Sequence, residues 1–358
     1  LTGCYPQAFP EEAAQFTEAD LVCGNGDRKA ILDNVLKLLD GHERIVAITP
    51  HQRGEKFEEL PVERFETHTR AFIKVEDGCN RQCAYCVIPR ARGPVRSRAE
   101  ASILNELHQL AAAGYREVVL SAISLPSYGL DTGTNLVELV EKCAQVEGIQ
   151  RIRLGSLDPD MLTPEFITRL AAVDKLCPQF HLSLQSGCSA TLRRMRRVYT
   201  AEQYAKVVAD LRAAYGERPV SFTTDCICGF PGETAADFEE SCAFLKEIGF
   251  LKVHVFPYSR RSGTPAYDFP DQVHEREKQD RSRKMNALAE DIRRDVLKGY
   301  EGMEDEVLLE TPLSETLFTG YTRLYVPVVV SAPGHKSGEI VRVRLGAYDG
   351  ERVRAALC

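Results

Sequence analysis

Three cysteines within eight residues, Cys79-Asn-Arg-Gln-Cys83-Ala-Tyr-Cys86, constrain this chain more than any other stretch. The spacing CxxxCxxC opens on Gly78 and follows the apolar run 71–75, so the thiols share one loop after a strand and can converge on one metal centre. A structural zinc site takes four ligands. No fourth Cys or His stands at finger-like spacing, the nearest histidines being His68 and His108. A cubane of four irons held by three thiolates leaves one iron open to a substrate or cofactor. An iron–sulfur cluster is therefore the favoured occupant, with zinc or unrelated buried cysteines as the alternatives.

At 358 residues and 44% hydrophobic content, the chain is long enough for two or three domains around a sizeable core. No stretch approaches the roughly 20 uninterrupted apolar residues of a membrane span, so no membrane partner is expected. Twelve cysteines scattered through a charged chain without a signal-like start fit the reducing cytoplasm rather than a disulfide scaffold. A formal net charge of −7 argues against a protein that coats nucleic acid indiscriminately and leaves room only for local basic surface.

Residues 1–7 read as the end of a buried strand entering a turn, and the missing initiator Met suggests that a preceding piece has been removed. The stretch to residue 39 alternates strand and helix periods, as a small α/β unit does. Pro50, Pro61 and mixed charge mark residues 50–68 as a linker, giving an expected first unit over 1–66. From residue 71, apolar runs at 117–122, 151–155, 180–184, 220–227 and 251–256 alternate with amphipathic segments at 101–113, 136–146, 164–173, 201–215 and 236–248. Six strands alternating with helices predict an α/β fold, a parallel sheet curved into a partial barrel over 67–300, with its chemistry on the loops after the strands. Residues 301–358 change character and give four short β runs, as in a small β-barrel, with Arg342 and Arg344 on one face.

Gln185 and Asp225 are polar residues in apolar strands, so each needs a partner. Cys226 and Cys228 point to one face of a strand with no third ligand nearby and read as packing residues, and Cys23 reads as structural. Arg90, Arg92, Arg96 and Arg98 follow the cysteine loop, and Arg193, Arg194, Arg196 and Arg197 follow the Gln185 loop. Both groups are expected at the barrel mouth, as a phosphate-reading rim or as solvated helix charge.

The cysteine loop, with Tyr85 directly before the third thiol, resembles the signature of radical S-adenosylmethionine enzymes. The resemblance implies a [4Fe-4S] cluster on Cys79, Cys83 and Cys86 whose open iron chelates S-adenosylmethionine and whose electron cleaves it to methionine and a 5'-deoxyadenosyl radical. It further implies cofactor contacts from Tyr85, Gln185, Asp225 and Arg197, and an adenine-facing segment at Ile227-Cys-Gly229.

Within that group the chain is similar to methylthiotransferases. The carriers are Thr2-Gly-Cys4-Tyr5, Val75 through Arg98, Arg151-Ile-Arg-Leu-Gly-Ser156, Phe256 through Pro265, and Gly320-Tyr-Thr322 ahead of a strand. The likeness implies that residues 1–66 are a remnant of an N-terminal domain, that Cys4 ligates a second, auxiliary [4Fe-4S] cluster in the full-length protein, and that 301–358 form an RNA-binding TRAM barrel. The branch implied acts at C2 of N6-threonylcarbamoyladenosine beside the anticodon in the tRNA anticodon stem-loop, with an electron donor such as flavodoxin or ferredoxin. The alternatives are the sister enzyme acting on an aspartate of a small-subunit ribosomal protein, and a non-catalytic iron–sulfur RNA-binding protein. One departure is Ser121-Ala-Ile123, where these enzymes carry Thr-Gly-Ile. Two auxiliary ligands would lie upstream, so the chain as given is expected to hold one cluster.

Overall fold

The computed structural model describes residues 1–60 and 69–358. The expected boundary at 66/67 lies outside those residues. Six parallel strands, the third broken into two segments, curve around a lumen in two sheets. Ala71–Lys74 pairs with Glu117–Ser121, which pairs with Arg151–Leu154. Ser156–Leu157 then starts a second sheet that continues through Gln179–Leu182, Ser221–Cys228 and Lys252–Pro257. The expected strand at 151–155 is thus split at Gly155, where the chain passes between sheets so close to Leu120 that an added Cβ would lie 3.2 Å from its carbonyl oxygen. The first and sixth strands each pair on one side only among the described residues, so the barrel is open between them.

Alternation sorts the side chains of each strand. On Ser221–Cys228, Phe222, Thr224, Cys226 and Cys228 are buried beneath the helices, while Thr223, Asp225 and Ile227 take the opposite, lumen face. The two cysteines are packing residues, as expected. The covering helices begin where sequence predicts them: Ala201–Tyr215 behind a Thr200/Gln203 capping box and Ala235–Ile248 behind Thr234 and Asp237.

At the amino ends of these strands sits a closed five-stranded barrel of Glu304–Pro312, Leu317–Thr322, Pro327–Ser331, Ile340–Tyr348 and Val353–Leu357. The strand Leu317–Thr322 was not among the four expected; Gly320-Tyr-Thr322 ends it and stands ahead of the next strand, Pro327–Ser331, as expected. Gly320 is required by close approach: a Cβ there would stand 2.1 Å from the Leu308 carbonyl oxygen across the ladder. Two stretches singled out in sequence meet at the seam. Arg153 donates to the carbonyls of Arg323 (3.0 Å) and Thr322, and its Nε to Glu117 at 2.7 Å. Ser221 Oγ donates to the Leu324 carbonyl at 2.6 Å.

At the other end, Leu21–Cys23 and Ile45–Ala47 form a parallel pair joined by the helix Ala30–Leu39. Thr2 bridges Cys23, but the chain then enters a helix, Cys4–Ala8, where sequence suggested a turn. Gly3, at φ 105°, makes that reversal in a region open to glycine. No described helix is long and apolar enough to cross a membrane.

Candidate active site

The cysteine loop is fixed by its ends and its middle. Gly78 has φ 93°, and a Cβ there would fall 1.9 Å from the Pro94 carbonyl oxygen. Cys79 N–H donates to the Gly93 carbonyl at 3.0 Å, closing the loop onto the far end of the helix Ile88–Arg92. Buried Ala84 donates to the Met195 carbonyl at 2.9 Å and accepts from Ala266 N–H at 2.8 Å, so two distant segments hold the loop's centre.

Cys79, Cys83 and Cys86 stand on one eight-residue loop that offers no fourth Cys or His, a donor set that suits a cluster whose three thiolates bind separate irons. Burial pushes the Cys79 thiol up to about 11 and also raises that of Cys86, so binding metal here displaces protons.

Cys83 is buried at 8% exposure and its sulfur is met by Arg197 Nη1 at 3.2 Å. The same guanidinium pairs with Asp158 and donates from Nε to the Tyr199 hydroxyl at 3.1 Å, and Tyr199 in turn donates to the Leu184 carbonyl at 3.0 Å. Arg197 therefore stands at the cluster loop, touching a thiol.

Tyr85, on the loop directly before Cys86, lines a cavity of about 300 Å³ that Gln185, Asp225, Ile227, Tyr258 and Arg261 also line. Tyr85 meets Phe230 edge-on at 6.4 Å between ring centres. Gln185 takes φ 69°, a conformation that costs a non-glycine residue on the order of 1–3 kcal/mol. It is held there by bonds of its N–H to the Asp225 carbonyl (2.9 Å) and of its carbonyl from Ile227 N–H (2.8 Å). Asp225 has a partner within the barrel, His181, whose Nε2 lies 3.5 Å from Oδ2. Three residues singled out in sequence, Tyr85, Gln185 and Asp225, thus share one cavity. Arg261 and Tyr258 had no assigned role from sequence, although the stretch 256–265 that carries them stood out as a motif.

Cys4 opens a helix that packs against Ile88–Arg92, the helix after the three-thiol loop. Arg92 Nε reaches its sulfur at 3.1 Å and Asn25 Nδ2 at 3.5 Å, while Arg92 Nη1 bonds Asp77 at 3.3 Å. Cys23 is buried, as expected. The arginine rim is smaller than sequence suggested. Arg92 and Arg96 are held by Asp77, Arg98 is paired with buried Glu106, and Arg194 with Asp237 at 2.7 Å, which leaves Arg193 and Arg196 as the exposed pair on their segment.

The profile of the radical SAM superfamily matches residues 73–245, from the first barrel strand through the helix before the sixth. Fold and site together define a radical S-adenosylmethionine enzyme. Relatives narrow the class. The chain is 37% identical over 351 residues to the threonylcarbamoyladenosine tRNA methylthiotransferase MtaB of Bacillus subtilis, covering 96% of this chain and 77% of that protein. The protein of the same name from Thermotoga maritima is 35% identical over 354 residues, covering 99% and 80%. The tRNA-2-methylthio-N(6)-dimethylallyladenosine synthase of Carboxydothermus hydrogenoformans is 34% identical over 352 residues, covering 96% and 79%. This chain belongs to the tRNA methylthiotransferase family of radical SAM enzymes.

Proposed function

We propose that this protein adds a methylthio group to C2 of N6-threonylcarbamoyladenosine beside the anticodon of tRNA. The reading is carried by one juxtaposition: Tyr85, which falls between Cys83 and Cys86 in the cysteine loop, lines the cavity that also holds Gln185 and Asp225. Cys79, Cys83 and Cys86 would hold a [4Fe-4S] cluster, which supplies the electron that opens S-adenosylmethionine. Tyr85 would pack on the adenine, Gln185 and Asp225 would hold the ribose or methionine portion, and Arg197 would fix Cys83 and its charge. The threonylcarbamoyl branch is supported by the names of the Bacillus and Thermotoga relatives.

The expected three-part division, with a first unit over 1–66, a core over 67–300 and an RNA-binding barrel over 301–358, belongs to the same proposal. Cys4 would serve an auxiliary cluster, its sulfur oriented by Arg92 and Asn25 as outer hydrogen-bond donors. The C-terminal barrel carries exposed Arg342, Arg344 and Arg354 on neighbouring strands, with Glu306 and Glu304 opposite the first two and Glu304 bonded to Arg344 at 2.7 Å, so its contacts to RNA would exchange these pairs for phosphate. Electrons would come from a donor such as flavodoxin or ferredoxin. Nucleoside analysis tests the reading: tRNA from a strain lacking this gene should retain N6-threonylcarbamoyladenosine and lose its 2-methylthio derivative. Unchanged tRNA nucleosides, or loss of the dimethylallyl derivative instead, would overturn it.

A further inference from the structure

Beneath the Tyr85 cavity the barrel lumen opens into a second cavity of about 250 Å³, lined among others by Arg70, Phe72, Arg153, His181, Lys252 and His254. The two spaces are neighbours. Asp225 of the upper cavity is in register with His254, and Thr223 of the lower one with Lys252. Lys252 and His254 stand two apart on the open edge strand Lys252–Pro257, so both take the face opposite buried Val253.

Most of the polar groups here are already committed. Arg153 is held by Glu117 and two backbone carbonyls, and Arg70 by Glu310 at 2.8 Å and the rings of Tyr321 and Tyr325. His181 Nδ1 lies 3.0 Å from Thr223 Oγ1, with Asp225 at its other nitrogen. Lys252 and His254 form no hydrogen bond or ion pair among the described residues. Burial, then the Lys252 charge, lower the His254 pKa, so it offers one N–H donor beside an ammonium. The exposed Lys252 ammonium and the half-buried His254 imidazole, at one end of a lumen whose two arginines are already paired with carboxylates, form a site for an anion.

We propose that Lys252 and His254 bind the carboxylate of an amino-acid side chain carried on the target adenine, which makes them specificity-determining residues. The proposal rests on the functional reading above, under which the modified base enters this lumen with a free threonyl carboxylate. A base bearing an apolar N6 group would cover both donors and strip their water without giving them a partner, and this costs binding.

The test uses the reconstituted chain and three anticodon stem-loop RNAs. One carries N6-threonylcarbamoyladenosine, one its carboxylate methyl ester and one plain adenosine, and affinity is read by fluorescence anisotropy. The wild type should bind the acid about tenfold more tightly than the ester, one charged hydrogen bond's worth. Lys252→Met should cut that ratio below about twofold with the ester affinity unchanged, and His254→Phe should lower it in smaller measure. A Lys252→Met protein that keeps the wild-type ratio overturns the proposal. So does one that binds all three RNAs more weakly by the same factor, which would make Lys252 a phosphate contact. A wild type that binds none of the RNAs refutes the functional reading itself, whereas one that binds all three alike refutes only the carboxylate site.

Discussion

Arg197 donates a hydrogen bond from Nη1 to the sulfur of Cys83 at 3.2 Å, and Asp158 holds the other arm of the same guanidinium. A cationic N–H on a ligating sulfur favours the reduced, more negative state of an iron–sulfur cluster. Arg197→Met should therefore lower the cluster's reduction potential by about 60 mV, the equivalent of ~1.4 kcal/mol for one charged hydrogen bond. Reductive titration followed by electron paramagnetic resonance measures this. An unchanged potential would mean that Arg197 orders the Tyr199 corner and has no hold on the cluster.

Glu76 supplies a pH dependence. One carboxylate oxygen accepts Ser124 N–H at 2.9 Å, and the other is buried without a partner. Burial, against the Ser124 bond, pushes its pKa up from 4.5 to about 8. The folded chain therefore keeps a proton there that the unfolded chain releases above its own lower pKa. The stability contributed is full below 4.5 and is lost as pH rises towards 8. Glu76→Gln should match the wild type in acid and exceed it by roughly 1–3 kcal/mol at and above the upper end of that window. Urea unfolding at both ends decides; an equal difference at the two pH values would contradict it.

Glu117 is fully buried between Arg151 (3.3 Å) and Arg153 (2.7 Å) at the seam of the two barrels. Burial opposes its ionisation, but Arg153 and then Arg151 outweigh it and hold its carboxyl below the usual 4.5. Because the folded value is depressed, the stability it contributes is present above 4.5 and fades as pH falls through the folded value. Glu117→Gln removes the buried counter-charge shared by Arg151 and Arg153, which keep only backbone carbonyls and the more distant Glu306, and should cost about 3–5 kcal/mol at neutral pH, shrinking in acid. Chemical unfolding across pH measures this, and a loss that stays constant into acid would show that the carboxylate charge is not the cause.

The barrel was legible because its signal is local. Short apolar runs alternate with helices whose caps, Thr200 with Gln203 and Thr234 with Asp237, lie three residues apart in the chain. The cysteine loop was legible for the same reason. What escaped depends on contacts between distant residues. Gly155 splits a run that reads as one strand because of Leu120, 35 positions upstream. Arg92 and Arg98 look like rim charges until Asp77 and Glu106 are seen to take them. The strand Leu317–Thr322 was hidden by its threonines and glycine, and Gly320 is explained only by the Leu308 carbonyl opposite. Arg261 joins the Tyr85 cavity from a loop after the sixth strand, where no local pattern marks a direction.

The central claim is that the thiols of Cys79, Cys83 and Cys86 hold the cluster that opens S-adenosylmethionine, and Cys83, being buried against Arg197, tests it most sharply. The decisive measurement is 5'-deoxyadenosine formed by the Cys83→Ala protein after anaerobic iron–sulfur reconstitution and reduction, beside the wild type and with circular dichroism as the check on folding. The account predicts a folded protein that forms none. A folded Cys83→Ala protein that still forms 5'-deoxyadenosine at the wild-type rate would contradict it.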